Sequence, residues 1–175
     1  MNYATIKWTD IANGEGVRIS LFVSGCTHRC KNCFNQIAWD FNYGQPFDAA
    51  VEEKILNELS ADYIAGISLL GGEPLEPQNQ EALYPFIKKL KERYPQKTIW
   101  CYTGFVFNEK KGLLKEGKKN TAITKELISM FDVLVDGAYI EKLKDIRLKF
   151  RGSSNQRVID VPKTLTQGEC VLYLE

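Results

Sequence analysis

"VRISLFVSGCTHRCKNCFN", residues 17–35, decides how this chain is read. Its first seven residues are mostly β-branched, aromatic or aliphatic and are stopped by Ser24-Gly25. That is the composition of a short buried strand running into a loop. The loop then carries Cys26, Cys30 and Cys33 within eight residues, spaced C-x3-C-x2-C. Structural zinc sites usually set one C-x2-C against a second pair of cysteines or histidines. Here the remaining cysteines, Cys101 and Cys170, stand alone. A thioredoxin-like C-x2-C needs no third cysteine, and a four-cysteine ferredoxin cluster would lack its last ligand.

Three thiolates on a tight loop suit a cubane 4Fe–4S cluster with three irons held and one left open. An open metal position is a catalytic device, by the logic that separates catalytic from structural zinc. The open iron calls for a chelating small molecule, and the amine and carboxylate of an amino acid would supply two bonds at once. The competing readings of the loop are an incomplete zinc site and chance clustering. His28 reads as a hydrogen-bonding member of the loop rather than a ligand. Cys101, between Trp100 and Tyr102, reads as a small core hydrophobe, and Cys170 likewise.

Working outward, strands and helices alternate. "DAAVEEKILNELS" (48–60) places Val51, Ile55 and Leu59 on one helical face with Asp48 as N-cap. "GISLL" (66–70) is an apolar strand stopped by Gly71-Gly72. "EALYPFIKKLKERY" (81–94) is a helix burying Leu83, Phe86, Ile87 and Leu90, kinked at Pro85 or starting near it. "KTIWCYTG" (97–104) is a strand, "TKELISMF" (124–131) a helix and "DVLVDG" (132–137) a strand. This order predicts right-handed βαβ crossovers and a mainly parallel sheet. Ligands bind such sheets beyond the carboxyl ends of the strands. Gly25, Gly71-Gly72, Gly104 and Gly137 end strands there, so the cysteine loop and the "GGEPL" turn share one mouth. Lys110, Lys111, Lys115, Lys118 and Lys119 crowd a stretch with Gly112, Gly117 and Asn120, read as a solvated loop or a docking element. Arg18 is either an ordinary strand arginine or a cofactor or partner contact. Asp136 is either a turn former or a residue of the mouth.

The 175 residues suffice for one domain with a real core. A net charge of +1 argues against nucleic acid as the default partner. No run of about 18 apolar residues spans a membrane. The first residues, "MNYATIKWTDIANGEG", have no apolar core or cleavage site of a signal peptide. A cytoplasmic, thiol-reducing location follows.

The chain resembles the radical S-adenosylmethionine enzymes. C-x3-C-x2-C after the first strand is one signature, and Gly71-Gly72-Glu73-Pro74 after the second is the other. The resemblance implies an α/β fold, a compact partial (β/α)6-type barrel with a mainly parallel sheet, forming one domain over 1–175. It implies that Cys26, Cys30 and Cys33 ligate a 4Fe–4S cluster and that S-adenosyl-L-methionine chelates the open iron. Gly71, Gly72 and Glu73 would hold its methionine end, with Asn32, Cys33 and Phe34 against the adenosyl group. One electron from the reduced cluster would break the sulfonium C–S bond and yield a 5′-deoxyadenosyl radical.

Within that superfamily the chain looks like the activating proteins of the anaerobic ribonucleoside-triphosphate reductase. Its landmarks are "NGEGVR" (13–18), "LFVSGCTHRCKNCFN" (21–35), "GQPF" (44–47), "GGEPLEPQN" (71–79), "YTGF" (102–105), "DVLVDG" (132–137) and "RGSSNQR" (151–157). This implies a protein substrate, the large catalytic subunit of the reductase, on which a glycyl radical is generated. It also implies a low-potential electron donor such as flavodoxin, and a contact from Arg151 and its loop to the reductase or to the cofactor carboxylate. The rival readings are another small radical enzyme, acting on a different glycyl-radical protein or on a small molecule, and a non-enzymatic zinc or iron–sulfur module.

Overall fold

A computed structural model describes residues 1–174. The elements run β1 (Asn2–Asp10), β2 (Val17–Val23), β3 (Gln45–Pro46), α1 (Ala49–Glu58), β4 (Ile64–Gly71), α2 (Pro77–Arg93), β5 (Thr98–Tyr102), β6 (Phe107–Asn108), β7 (Leu113–Leu114), α3 (Thr124–Ser129), β8 (Val133–Asp136), β9 (Arg157–Asp160), α4 (Val161–Gln167) and β10 (Leu172–Leu174). Eight strands form one sheet in the order β10-β9-β8-β5-β4-β2-β1-β3, and β6 and β7 make a separate hairpin.

β2, β4, β5 and β8 are parallel neighbours. Each is largely buried along its length, as strands covered on both sides are. The expected parallel sheet is this centre. β1 and β3 on one side and β9 and β10 on the other are antiparallel. The sheet is therefore mixed and open: among the described residues no pairing joins β3 to β10. β1 escapes a search for buried strands because it alternates, with Thr5, Lys7 and Thr9 exposed and the residues between them partly or fully covered. No described helix is long and apolar enough to cross a membrane.

All four helices lie against one face. Ile19, Leu21, Val23, Ile67, Leu69, Ile99, Cys101 and Leu134 of the strands pack there on Ile55, Leu56 and Leu59 of α1, on Leu83, Phe86, Ile87 and Leu90 of α2, and on Leu127 and Ile128 of α3. Cys101 is thus a core residue, and Cys170 packs at its margin. Asp48 caps α1, its carboxylate accepting from Val51 N at 3.0 Å. α2 begins four residues before the predicted start, with Pro77 in its first turn, and runs through Pro85 to Arg93. Pro at the first turn removes no needed donor. Pro85 and Glu81 are both exposed, so the Glu81 carbonyl that Pro85 cannot pair is open to water.

The opposite face is smaller and more polar. Trp100, Val133, Val135 and Val158 form its apolar cluster, and Arg18, Ser20 and Ser68 are buried beside it. Arg18 Nε donates to Ser68 Oγ at 2.8 Å, Nη1 to Thr98 Oγ1 at 2.9 Å and to the Glu15 carbonyl at 3.2 Å. Nη2 donates to the carbonyls of Ile67 and Thr98 at 2.7 and 2.8 Å. The guanidinium stands 5.5 Å from the Trp100 ring centre. Burial pulls its pKa down to about 10. Arg18 pairs with Gly66 at the amino-terminal ends of the strands, away from the cysteine loop. It is a structural arginine and not a cofactor contact.

Arg18→Leu should destabilise the apoprotein by about 2 kcal/mol in urea denaturation, because it strands buried oxygen acceptors. Iron uptake on reconstitution should be unchanged. Loss of iron binding at normal stability would return Arg18 to the site.

Candidate functional site

The turns that leave the parallel strands extend the sheet's pairing by one more layer. Gly72 N donates to the Val23 carbonyl at 2.7 Å and Glu73 N to the Gly25 carbonyl at 2.8 Å. Thr103 N donates to Val135 O at 2.8 Å and Gly137 N to Phe105 O at 3.0 Å. The cysteine loop is closed at its base by Gly25 N to Ala38 O at 2.8 Å and Cys26 N to Trp39 O at 3.2 Å. Gly72 is required for this approach: a Cβ there would lie 2.6 Å from the Gly25 carbonyl oxygen. The expected single mouth, with the cysteine loop beside the GGEP turn, is present.

Glu73 is 1% exposed and its carboxylate takes four hydrogen bonds. Oε1 accepts from Leu75 N at 2.9 Å and Thr103 Oγ1 at 2.8 Å. Oε2 accepts from Gly104 N at 2.7 Å and faces His28 Nε2 at 2.8 Å. His28 is therefore a hydrogen-bonding residue of the loop, as its sequence context predicts. Its ring packs on Phe105, centres 4.2 Å apart, and a Cβ at Gly104 would collide with it at 2.6 Å. Burial opposes protonation of His28, but the bond to Glu73 outweighs it and raises the pKa.

A second carboxylate, Glu76, reaches the loop from the start of α2. It is 2% exposed. Its Oε1 accepts from Thr27 N at 2.9 Å and from the Thr27 hydroxyl. Its Oε2 pairs with Lys119 Nζ at 2.7 Å, and Lys119 also donates to Thr27 Oγ1 at 2.8 Å. Burial raises the Glu76 pKa, but Lys119 and Thr27 together hold the carboxyl below the usual glutamate range. Neither residue carries a local signal: Glu76 is one polar position inside "GGEPLEPQN", and Lys119 is one of five lysines in a stretch whose composition reads as solvated. Lys115 and Lys118 are exposed as expected, whereas Lys119 points inward.

Cys26, Cys30 and Cys33 are half-buried, and all five cysteines are free thiols. Arg29 and Asn32 adopt left-handed φ values of 49° and 58°, which coil the loop tightly. Burial pushes the Cys26 thiol up to about 11 and raises Cys30 as well. Metal binding would have to displace those protons. Among the described residues no three Cys, His, Asp or Glu side chains converge on one metal-ion position. A cube-shaped cluster held at three separate corners requires spaced thiolates, and a soft three-thiol donor set fits it. Asn32 is exposed, and Phe34 is 89% exposed without a packing partner in the core.

Asp136 is more than a turn former. It is buried, accepts from Phe107 N at 2.8 Å and pairs with both Nε and Nη2 of Arg157. Arg157 also meets Glu109. The 151–157 segment is organised internally, Arg151 Nη1 donating to Gln156 O at 3.0 Å and Gln156 Nε2 to Gly137 O at 2.9 Å. A cavity of about 420 Å³ lies between this segment and the cysteine loop, lined by His28, Gly104, Glu116, Asp136, Asn155 and Arg157 among others. That size suits a small molecule.

A model of the 4Fe-4S single cluster domain family matches residues 12–159. The chain is 43% identical over 158 residues to the anaerobic ribonucleoside-triphosphate reductase-activating protein of Haemophilus influenzae, covering 89% of this chain and 96% of that one. It is 41% identical over 160 residues to the protein of that name from Escherichia coli K12, with 90% and 97% covered. It is 39% identical over 158 residues to the one from Enterobacteria phage T4, with 90% and 93% covered.

Gly72→Ala should cost about 2 kcal/mol, an overpacking penalty against fixed backbone, and lower iron uptake; urea denaturation and iron analysis read both. Because the Glu76 pKa is depressed, its stabilising contribution is complete above the ordinary glutamate range. It is lost as pH falls through the folded value. Glu76→Gln should therefore flatten the acid limb of apoprotein stability measured against pH.

Proposed function

Since the chain belongs to the anaerobic ribonucleoside-triphosphate reductase-activating proteins, within the 4Fe-4S single cluster domain family, we propose that it is the activase that generates a glycyl radical on that reductase. A 4Fe–4S cluster bound here would supply the electron for reductive cleavage of S-adenosyl-L-methionine, the chemistry needed to take a hydrogen atom from a glycine of the large catalytic subunit.

Cys26, Cys30 and Cys33 would hold the cluster as thiolates, three ligands that would leave one iron for the amino-acid end of the cofactor. Gly71, Gly72 and Glu73 line the methionine end. Of the four donors on Glu73, His28 alone comes from the cysteine loop, so it is the one that an amine N–H of the cofactor would replace. Asn32, Cys33 and Phe34 would meet the adenosyl group, with the exposed Phe34 ring supplying packing area. We read the open sheet, with its four parallel strands, as a shortened relative of the partial (β/α)6 barrel, and residues 1–175 as one domain. Five free cysteines fit the reducing cytoplasm. Arg29 and Lys31, exposed on the loop itself, suit an acidic one-electron carrier of the flavodoxin type.

The observation that carries this reading is the hydrogen-bonded seam between the three-cysteine loop and the GGEP turn, Glu73 N to Gly25 O at 2.8 Å and His28 to Glu73 at 2.8 Å. It joins the two signatures across 45 residues of chain.

The test is anaerobic. The reconstituted, reduced protein should show an electron paramagnetic resonance spectrum that shifts with S-adenosylmethionine, and should release methionine and 5′-deoxyadenosine. Adding the reductase should produce a glycyl radical doublet. Cys30→Ala should lose all three. A zinc-loaded protein, or a cluster blind to the cofactor, would overturn the reading.

A further inference from the structure

The geometry points to Glu76 and Lys119 as positioning residues that hold the cysteine loop in its binding shape, which makes the lysine-rich segment a strap of the site. This rests on the loop being the cluster-binding element.

Thr27 is the residue between the first cysteine and His28, and one buried carboxylate oxygen takes both its amide and its hydroxyl hydrogen. Beyond its base at Gly25 and Cys26, the loop has few other holds. One is the His28–Glu73 bond, and another is the internal turn from Cys33 N to Cys30 O at 3.1 Å. Thr27 is thus the point at which the loop is tied to α2. A buried carboxylate can serve there only if its charge is matched, since an unpaired buried charge is strongly unfavourable.

Lys119 supplies the match. Its side chain is 25% exposed and that of Glu76 3%, so the pair is shielded from the solvent that makes surface ion pairs weak. The ammonium also lies 5.5 Å from the Phe105 ring centre, and Phe105 in turn packs on His28. Its backbone is placed independently of Glu76. Gln80 Nε2 of α2 donates to Lys119 O at 2.9 Å. Asn120 forms a reciprocal pair with Leu114, donating to its carbonyl and accepting from its amide, each at 2.9 Å. Gln80 Oε1 takes the hydroxyls of Thr121 and Thr124. The strap is therefore pinned to α2 and to the start of α3, and it presents one lysine inward while Lys115 and Lys118 remain in solvent.

The experiment is hydrogen–deuterium exchange of the apoprotein, followed by iron uptake and the electron paramagnetic resonance spectrum with S-adenosylmethionine. Lys119→Met and Glu76→Gln should speed exchange at the Thr27 amide roughly tenfold, the loss expected when one charge-assisted bond goes. Exchange in β4 and β5 should stay as in the wild type. Lys119→Arg should restore protection, and Lys118→Met should change nothing. In the reconstituted protein the first two variants should hold less iron and give a broadened cofactor-bound spectrum. Unchanged exchange at Thr27 in both variants would overturn the proposal. So would acceleration spread evenly over the sheet, which would make the pair merely structural. If protection at Thr27 falls but the wild type does not cleave S-adenosylmethionine, the positioning role stands and the functional reading fails.

Discussion

The site depends on one buried carboxylate. Glu73 draws a donor from its own turn, two from the end of β5 and one from the cysteine loop. Three chain segments far apart in sequence are thereby held around two oxygen atoms. Neutral acceptors could not do this as well, because hydrogen bonds to an ionised group are about twice as strong as neutral ones. The arrangement also explains the glycines around it. Gly72 and Gly104 have no room for a side chain, since the backbone itself must come within bonding distance.

Around this node the sheet divides the labour. The helix face is an ordinary apolar core, and it gives the parallel strands their rigidity. The other face carries Arg18, Ser20 and Ser68 with every guanidinium donor of Arg18 engaged by a neutral oxygen. A charge without a carboxylate partner is tolerated there because five hydrogen bonds and an indole face replace its water. The mouth sits at the carboxyl ends of the strands, where parallel sheets regularly present their ligands.

How much was legible beforehand follows from the range of the interactions. The central strands, the cap at Asp48, and the convergence of Gly25, Gly72 and Gly104 are written in local pattern and in turn chemistry, and they appear where expected. β1 and the β9–β10 edge alternate or are short, so their pairing depends on neighbours rather than on their own composition. Arg18 and Asp136 looked like candidates for the site because charged residues near glycines invite that reading. Their true partners, Thr98 and Arg157, lie 80 and 21 residues away. Lys119 was hidden among four other lysines, and nothing local distinguishes the one that turns inward.

Those same separations bear on when the protein becomes competent. Thr27 meets Glu76 across 49 residues and Lys119 across 92. Contacts of such range form late, because the chain between them must be ordered before they can repay the closure of the loop. A nascent chain that has exposed its three cysteines, but has not yet delivered the segment beyond β7, possesses the thiols without the shape to use them. The shape of the cysteine loop is thereby coupled to completion of the fold, an order that the topology itself favours.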